Sequence, residues 1–283
     1  MNAARSKGSA FGLDLRLAWR NIWRRKRRTW LTALAMVFSN VLLIFMISLQ
    51  FGSYEMMINN TLRMFSGQVQ VQSEGYQDSQ KMRKVVSGVL DLANDIREQF
   101  PAASVATRAN AFVLVSSEDR SFGTQLVGVD PDHEPGVSSI PGLISDGRYL
   151  DGPNAAEIVI GGVMARNLKV HTGDELTFLG SGRDGSFAAG VLEVVGIFSS
   201  GSQDLDRSLA EIPLGYFQEA FMMEGSGHVI ALALDDLSGV ATMIDPLKAI
   251  ISKQQGLVVL DWEALMPGLK QAIQADMTSA WFM

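Results

Sequence analysis

The sequence predicts an α+β protein on a membrane anchor: one N-terminal transmembrane helix, then a body in which two β-α-β units flank an inserted, mainly β region. Three observations carry that reading. Charge is segregated along the chain, one long run lacks any ionisable residue, and the hydrophobic period downstream switches between two and 3.6 residues.

The 283 residues carry a net charge of −6 and no cysteine. That total hides two opposite parts. Residues 1–29 hold nine Lys or Arg against the single acid Asp14, a charge of +8. The remainder, with 15 basic and 29 acidic residues, carries −14. Mean hydropathy is +0.14, and the apolar run at 30–51 alone supplies all of it, roughly +40 when summed on the usual scale. These sums exclude a fully soluble protein, a disordered chain and a polytopic membrane protein. Absence of cysteine fits an oxidising compartment without establishing one.

The anchor is WLTALAMVFSNVLLIFMISLQF at 30–51. As a helix it would span about 33 Å, enough for a hydrocarbon core of about 30 Å. A cleaved signal peptide is the competing reading, but its apolar region is about 7 to 15 residues and ends in a small-x-small site, which FGSYEMM does not offer. Lys and Arg next to a span stay on the cytoplasmic side. RRKRR at 24–28 directly precedes this one, and Glu55 is the only charge between Phe51 and Arg63. The N-terminus is therefore expected in the cytoplasm and residue 52 onward outside, which in a Gram-negative cell means the periplasmic side of the inner membrane.

Upstream, Arg16, Arg20, Arg24 and Arg27 fall on one helical face, with Leu15, Ala18, Trp19 and Ile22 on the other and Trp23 at the edge. Such a helix lies along the inner membrane surface. Arg16, Trp19, Arg20, Trp23 and Arg24 are the candidates for contact with membrane lipid or a cytoplasmic partner. No nucleic acid is expected, because a basic helix abutting a span has little freedom to enter a groove.

Beyond the anchor, SGQVQVQS alternates as a strand. VVSGVLDLANDIREQF places Val86, Leu90, Ala93 and Ile96 at helical spacing, and ANAFVLVSS follows as a strand. The same order returns in HVIALALDD, in LSGVATMIDPLKAIISKQQG with a kink or break expected at Pro246, and in LVVLDW. Between them lie the short strands FGTQLVGV, AEIVIG, GDELTFLG and VLEVVGIF, separated by turn signals and decorated by short helices at GGVMARNL and GYFQEAFM. The divisions expected are 1–29, a cytoplasmic basic helix; 30–51, the span; 52–120, the first half of a base domain; 121–225, the mainly β insertion; 226–265, the second half of the base; and 266–283, a helix leading into a second span.

No catalytic constellation emerges. G-x-x-x-x-G-K-[ST] is absent from the sequence, so any ATP used must be hydrolysed by a partner. GSGRDGS reads as a hairpin turn, and IGGVMARNL lacks dinucleotide-loop spacing. His133, His171 and His228 are far apart and have no ligand partner one turn away, so no metal site is expected. Asp204 and Asp206 with Glu193 read as a solvated loop and not a carboxylate pair. No catalytic, cofactor-binding or metal residue is predicted. Met56, Met57, Ile140, Leu143, Phe221 and Met222 are the candidates for substrate or carrier contact, because unbranched Met suits varied apolar groups; ordinary core packing is the competing reading.

Several motifs taken together carry a resemblance: LAWRNIWRRKRRTWLT, SGQVQVQSEGY, LVGVDPDHE, IPGLISDGRYL, EIVIGGVMARNLKVHTGDELTFL, VVGIFSSGSQDLDRS and VLDWEALMPGLKQAI. In this order and spacing the chain resembles permease subunits of the MacB/FtsX-type ABC transporters, with a MacB-like periplasmic core domain, and is most similar to the lipoprotein-releasing permeases. The resemblance implies a porter-like base with an inserted Sabre-like subdomain, a second permease subunit in a homo- or heterodimer, a cytoplasmic ABC ATPase and a periplasmic lipoprotein carrier. It implies a non-catalytic subunit that releases lipoproteins or expels amphiphiles. Members of that family continue with three more spans and an ATPase-docking loop, so the chain reads as a fragment of a longer permease or as a split subunit. The rival readings are a single-span binding or sensor protein and a membrane-anchored hydrolase.

Overall fold

A computed structural model describes residues 19–20, 23–118 and 120–281. Arg16, most of the expected surface helix and the last two residues lie outside the described residues. The chain divides into two units, Met1–Met56 and Met57–Met283. Helix α1 (Lys26–Met64) begins in the first and ends in the second.

In the first unit, Trp30, Leu34, Phe38 and Phe45 are exposed on α1. The helix is long and apolar enough to cross a membrane. Three of its polar residues bond back to the helix itself: Thr32 Oγ1 donates to the Arg28 carbonyl, Asn40 Nδ2 to Met36 and Ser53 Oγ to Leu49. At 39 residues, or about 58 Å, α1 outruns the span read from sequence. Gly52 directly after the apolar run is taken into the helix, and SYEMMINNTLRM beyond it contains neither Pro nor Gly, so the helix continues past the span. Gly67 ends it, at φ +73, by donating its N–H to the Leu62 carbonyl (2.9 Å). A Cβ at Gly67 would sit 2.9 Å from the Leu232 carbonyl oxygen, so both conformation and space demand glycine.

The second unit continues with β1 (Val69–Ser73), β2 (Val86–Ser87), α2 (Val89–Gln99), β3 (Ser104–Ser116), β4 (Ser121–Val129) and α3 (Glu134–Val137). A 3-10 turn (Ile140–Leu143), β5 (Ile144–Gly147), β6 (Glu157–Gly161), α4 (Gly162–Leu168), β7 (Glu175–Ser181) and β8 (Phe187–Phe198) follow. Then come α5 (Gln203–Ser208), β9 (Leu209–Pro213), α6 (Leu214–Ala220), β10 (Ser226–Gly227) and β11 (Val229–Ala233). The last elements are α7 (Val240–Ile251), β12 (Leu257–Asp261), α8 (Trp262–Leu265) and α9 (Pro267–Trp281).

The two β-α-β units interleave. Strands run β12-β1-β11-β3, each antiparallel to its neighbours, the order of a split β-α-β plait. Alternation puts Val69, Val71, Val105, Ile230 and Leu232 on one face, where they form a core with Leu92, Ala93 and Ile96 of α2 and Met243 and Leu247 of α7. Gln70, Gln72, Ala106 and Arg108 occupy the other face.

The expected helical face in the first β-α-β order is corrected. Gly88, at φ +60, opens α2 and resets the phase, so Val86 belongs to β2, Leu90 is exposed, and the buried face is Val89, Leu92, Ala93 and Ile96. Helix α7 runs through Pro246 without a break; the donor that Pro lacks falls opposite Thr242, an exposed residue.

Beyond Arg108, β3 leaves the plait and joins a closed ring. It pairs with β4, β4 with β9, β9 with β6, β6 with β8, β8 with β7, and β7 returns to β3 at Leu114, Val115 and Ser116. Val113, Leu126, Ile158, Phe178 and Leu192 fill the ring with Met164 of α4 and Phe217 of α6. Closure leaves no free edge around it. The expected solvated loop at 203–208 is instead α5: Ser202 Oγ caps it and the buried Asp206 carboxylate accepts from Ser200 N (2.8 Å).

Gly67→Ala should lower stability by about 1–3 kcal/mol, read as a drop in thermal midpoint of the second unit by circular dichroism in detergent. An unchanged midpoint would show that the end of α1 does not depend on this turn.

Candidate functional site

The last turn of a helix leaves carbonyls without partners, and in α1 the body supplies them. Ser139 donates both its N–H (2.8 Å) and its Oγ (3.0 Å) to the Arg63 carbonyl. Ser138 Oγ donates to Met64 O (3.1 Å). Both serines follow α3, and Ser138 N–H closes that helix on the Glu134 carbonyl (2.9 Å). In return, Arg63 Nη2 donates to the Leu234 carbonyl (3.1 Å) and to Asp235 Oδ1 (2.9 Å) just past β11. Gln68, fully buried, bridges the same places. Its Nε2 donates to Asn59 Oδ1 and Leu234 O, and its Oε1 accepts from Leu234 N. Ile58 and Leu62 bury the inner side of the helix.

Phe65 carries the junction inward. Its ring lies 4.3 Å from the Arg108 guanidinium carbon and packs against the core formed by Val127, Val129, Ile140 and Phe198 at the foot of the ring. Arg108 is 2% exposed on β3. It forms a two-pronged pair with Glu134, Nε to Oε2 at 3.1 Å and Nη2 to Oε1 at 2.5 Å. A second carboxylate shares this interior. Glu211 on β9 accepts from the Tyr149 hydroxyl (2.8 Å) at Oε2, while its Oε1 has no partner among the described residues. Two acids face one guanidinium, and Glu211 gives way: burial first, then the neighbouring Glu134 charge, push its pKa up to about 8, against smaller lowering by Tyr149 and Arg108. Tyr149 is raised by the same burial and by Glu211. Glu211 therefore holds a proton at neutral pH.

The junction thus runs from the end of α1 through Ser138 and Ser139 to Glu134, from Glu134 to Arg108 on the plait, and through Phe65 to the ring. Its elements are packed and hydrogen-bonded without interruption, so a displacement of the helix end is resisted by both parts of the body.

The residues predicted from sequence do not converge on this place. Trp19, Arg20, Trp23 and Arg24 are exposed in the first unit, with the two Trp rings 6.2 Å apart; Arg16 lies outside the described residues. Met56, Met57 and Met222 are exposed. Leu143 is half-buried. Ile140 and Phe221 are corrected as contact candidates, since both are fully buried: Ile140 packs in the core that receives Phe65, and Phe221 stacks on Phe217 (4.2 Å). The exposed apolar residues that the structure does bring together are others. Phe112 and Leu114 on β3, Leu179 on β7 and Phe187 and Val191 on β8 share the outer face of the ring, with Leu114 opposite Leu179.

Sequence reading missed Arg108, Glu134 and Glu211. The available signal was a charge inside an apolar strand pattern, as in ATRANAFVLV and LAEIP. Among the described residues no group of three or more His, Asp or Glu is placed to hold a metal ion. His228 is structural: its Nδ1 accepts from Asn110 N–H (2.8 Å), leaving Nε2 to face Met82 O (3.3 Å), and burial lowers its pKa to about 4.

The raised Glu211 pKa fixes a sign. The folded chain holds this proton more tightly than the unfolded chain does, so the stability linked to it is intact below about pH 4.5 and is lost as pH rises to about 8. Glu211→Gln keeps an acceptor for Tyr149 and removes the titration. Its thermal midpoint should gain on the wild type steadily across that window, and parallel midpoint curves would contradict the assignment.

The chain matches the family model "MacB-like periplasmic core domain" over residues 29–250. No curated protein sequence matches it. Among solved structures it is similar to the periplasmic region of MacB from Actinobacillus actinomycetemcomitans, with TM-score 0.53 and 16% identity over 77% of this chain and 98% of that one. It is also similar to the extracellular domain of the noncanonic ABC-type transporter YknZ from Gram-positive bacteria, with TM-score 0.50 and 12% identity over 69% of this chain and all of that one. At such identities the structures establish the fold, while the family model, covering most of the chain, establishes membership: this chain belongs to the MacB-like periplasmic core domain family.

Proposed function

We propose that the chain is the anchoring and coupling part of an ABC transporter permease, in which a cytoplasmic ABC ATPase hydrolyses ATP and α1 passes the resulting movement to a body on the outer side of the inner membrane. The observation that carries this reading is the junction. A helix that merely tethered a domain would need a flexible connection, whereas α1 continues without interruption to Met64 and has its final carbonyls capped by Ser138 and Ser139 of the body. The basic cluster before the span supports a cytoplasmic N-terminus, where an ATPase is found.

The chain itself binds no nucleotide in this reading and performs no chemistry. It works beside a second permease subunit and moves an amphiphilic substrate, with lipoproteins as the preferred class and a periplasmic carrier as the receiving partner. The outer face of the ring, with Phe112 and Phe187 at 79% and 89% exposure, is the surface assigned to substrate or carrier, because apolar side chains this exposed suit an apolar partner.

A permease carrying this chain, reconstituted with a candidate ABC ATPase partner, should release substrate in an ATP-dependent manner. Combined Arg63→Ala, Ser138→Ala and Ser139→Ala should cut release about tenfold or more, since capping and charged hydrogen bonds worth about 1 kcal/mol each are removed, while ATPase binding stays intact. Full release by the loosened triple variant would sink the coupling role. Separately, Phe112→Ser with Phe187→Ser should weaken substrate release and leave ATP hydrolysis without substrate unchanged.

A further inference from the structure

The face of the plait away from α2 and α7 carries a cleft whose chemistry the junction does not explain. It has two adjoining lobes, about 110 Å³ and about 260 Å³, which share Tyr76, Gln80, Asn110 and Gln125 in their walls. The smaller lobe reaches Gln70, Gln72 and Gln77, and the larger one reaches Met82 and Phe112. Gln77 and Gln80 are exposed, so the cleft opens to solvent.

Amide orientation is fixed in this cleft from two ends. Gln70 Nε2 donates to the Ser66 carbonyl (2.6 Å), which makes Gln70 Oε1 the acceptor for Gln72 Nε2 (2.6 Å). Gln77 Nε2 donates to the Leu265 carbonyl (3.3 Å), and its Oε1 takes the other hydrogen of Gln72 Nε2 (3.4 Å). A backbone carbonyl cannot donate, so neither end can be reversed. Turning Gln72 over would set its oxygen against two oxygens. Gln72 Oε1 is therefore locked as an acceptor. Gln72 is 1% exposed, and that oxygen meets no donor among the described residues. Asn110, in the wall of both lobes, has the Tyr76 hydroxyl as its side-chain partner (3.0 Å); that hydroxyl can donate or accept, so the remaining Asn110 group serves a ligand amide in either orientation.

A buried acceptor left unpaired is costly, so the cleft favours a ligand that brings N–H groups. Charge narrows the choice. Arg108 and Tyr76 are the only ionisable side chains in its walls; Arg108 is already neutralised by Glu134, and burial raises Tyr76 to about 12, so it stays neutral. A carboxylate or phosphate would meet acceptors where it needs donors. An ammonium would find no carboxylate in the walls. Met82, Tyr76 and Phe112 offer apolar surface beside the amides.

We propose that this cleft binds an uncharged peptide segment, one of whose backbone N–H groups donates to Gln72 Oε1 and whose backbone amides pair with Asn110, while its side chains lie against Met82, Tyr76 and Phe112. Binding is a property of the second unit and needs no ATPase, so its test can fail while the coupling role survives, and the reverse.

The test uses the full chain in detergent micelles and saturation-transfer NMR with three probes: acetyl-trialanine N-methylamide, its analogue methylated at every amide nitrogen, and n-butylammonium. The two peptides share side chains and neutrality, and methylation replaces each N–H donor with a methyl group; closure of the gap in Gln72→Met separates the lost donor from the added bulk. The unmethylated peptide should bind about tenfold tighter than the methylated one, the cost of leaving one buried acceptor unmet, and the gap should close in Gln72→Met. Equal binding of the two peptides, preferential binding of butylammonium, or no binding by any probe would overturn the proposal. If the variant does not fold, the analogue with an ester oxygen in place of each backbone N–H gives the same comparison on the wild-type chain, and equal binding of it and the unmethylated peptide overturns the proposal.

Discussion

Burying the Arg108 guanidinium is the constraint around which the second unit is arranged. An isolated buried charge costs several kcal/mol, so a carboxylate must be delivered to it, and Glu134 does this from the first position of α3. Helix α3 has only four residues. Fixing Glu134 therefore fixes Ser138 and Ser139 just beyond it, and these are the groups that cap α1. The open face of the guanidinium is covered by Phe65, the residue directly after α1. Gly67 ends the helix, and one ion pair thus places the groups that hold that end.

The same interior explains the unequal treatment of two carboxylates. Glu134 has both oxygens on Arg108, whereas Glu211 has one oxygen on Tyr149 and none on the guanidinium. A second full negative charge would have no counterion, so protonation is the cheaper state. The plait shows a parallel division between its faces. Valine and isoleucine on one face accept two helices, while glutamines at alternate positions on the other cannot form an oil-like core, and Gln70 and Gln72 instead join Gln77 in a chain of amides centred on Gln72.

Much of the architecture was legible in the sequence, because period and charge are local signals. The uncharged run at 30–51, the Gln-Val alternation at 68–72 and the two β-α-β orders each follow from neighbours along the chain. The strands of the insertion were readable singly, but their closure into a ring was not, since β4 beside β9 and β7 beside β3 are pairings of distant segments. Contact residues were the least legible. Phe221 and Met222 are adjacent, yet Phe221 is buried in an aromatic stack and Met222, at φ +54, turns outward; composition alone cannot separate two apolar neighbours on either side of a turn. Arg108, Glu134 and Glu211 meet only after folding, and their separation along the chain hid them.

Amide hydrogen exchange at Ser139 and Gly67 tests the rigid junction most directly. Their N–H groups bond the Arg63 and Leu62 carbonyls, so each can exchange only when the helix end parts from its cap. If the end of α1 is locked to its cap, both amides will exchange as slowly as those of the central strand β11 and only through unfolding of the whole unit. Exchange by local opening, faster than in β11 by orders of magnitude, would contradict a helix locked to its body.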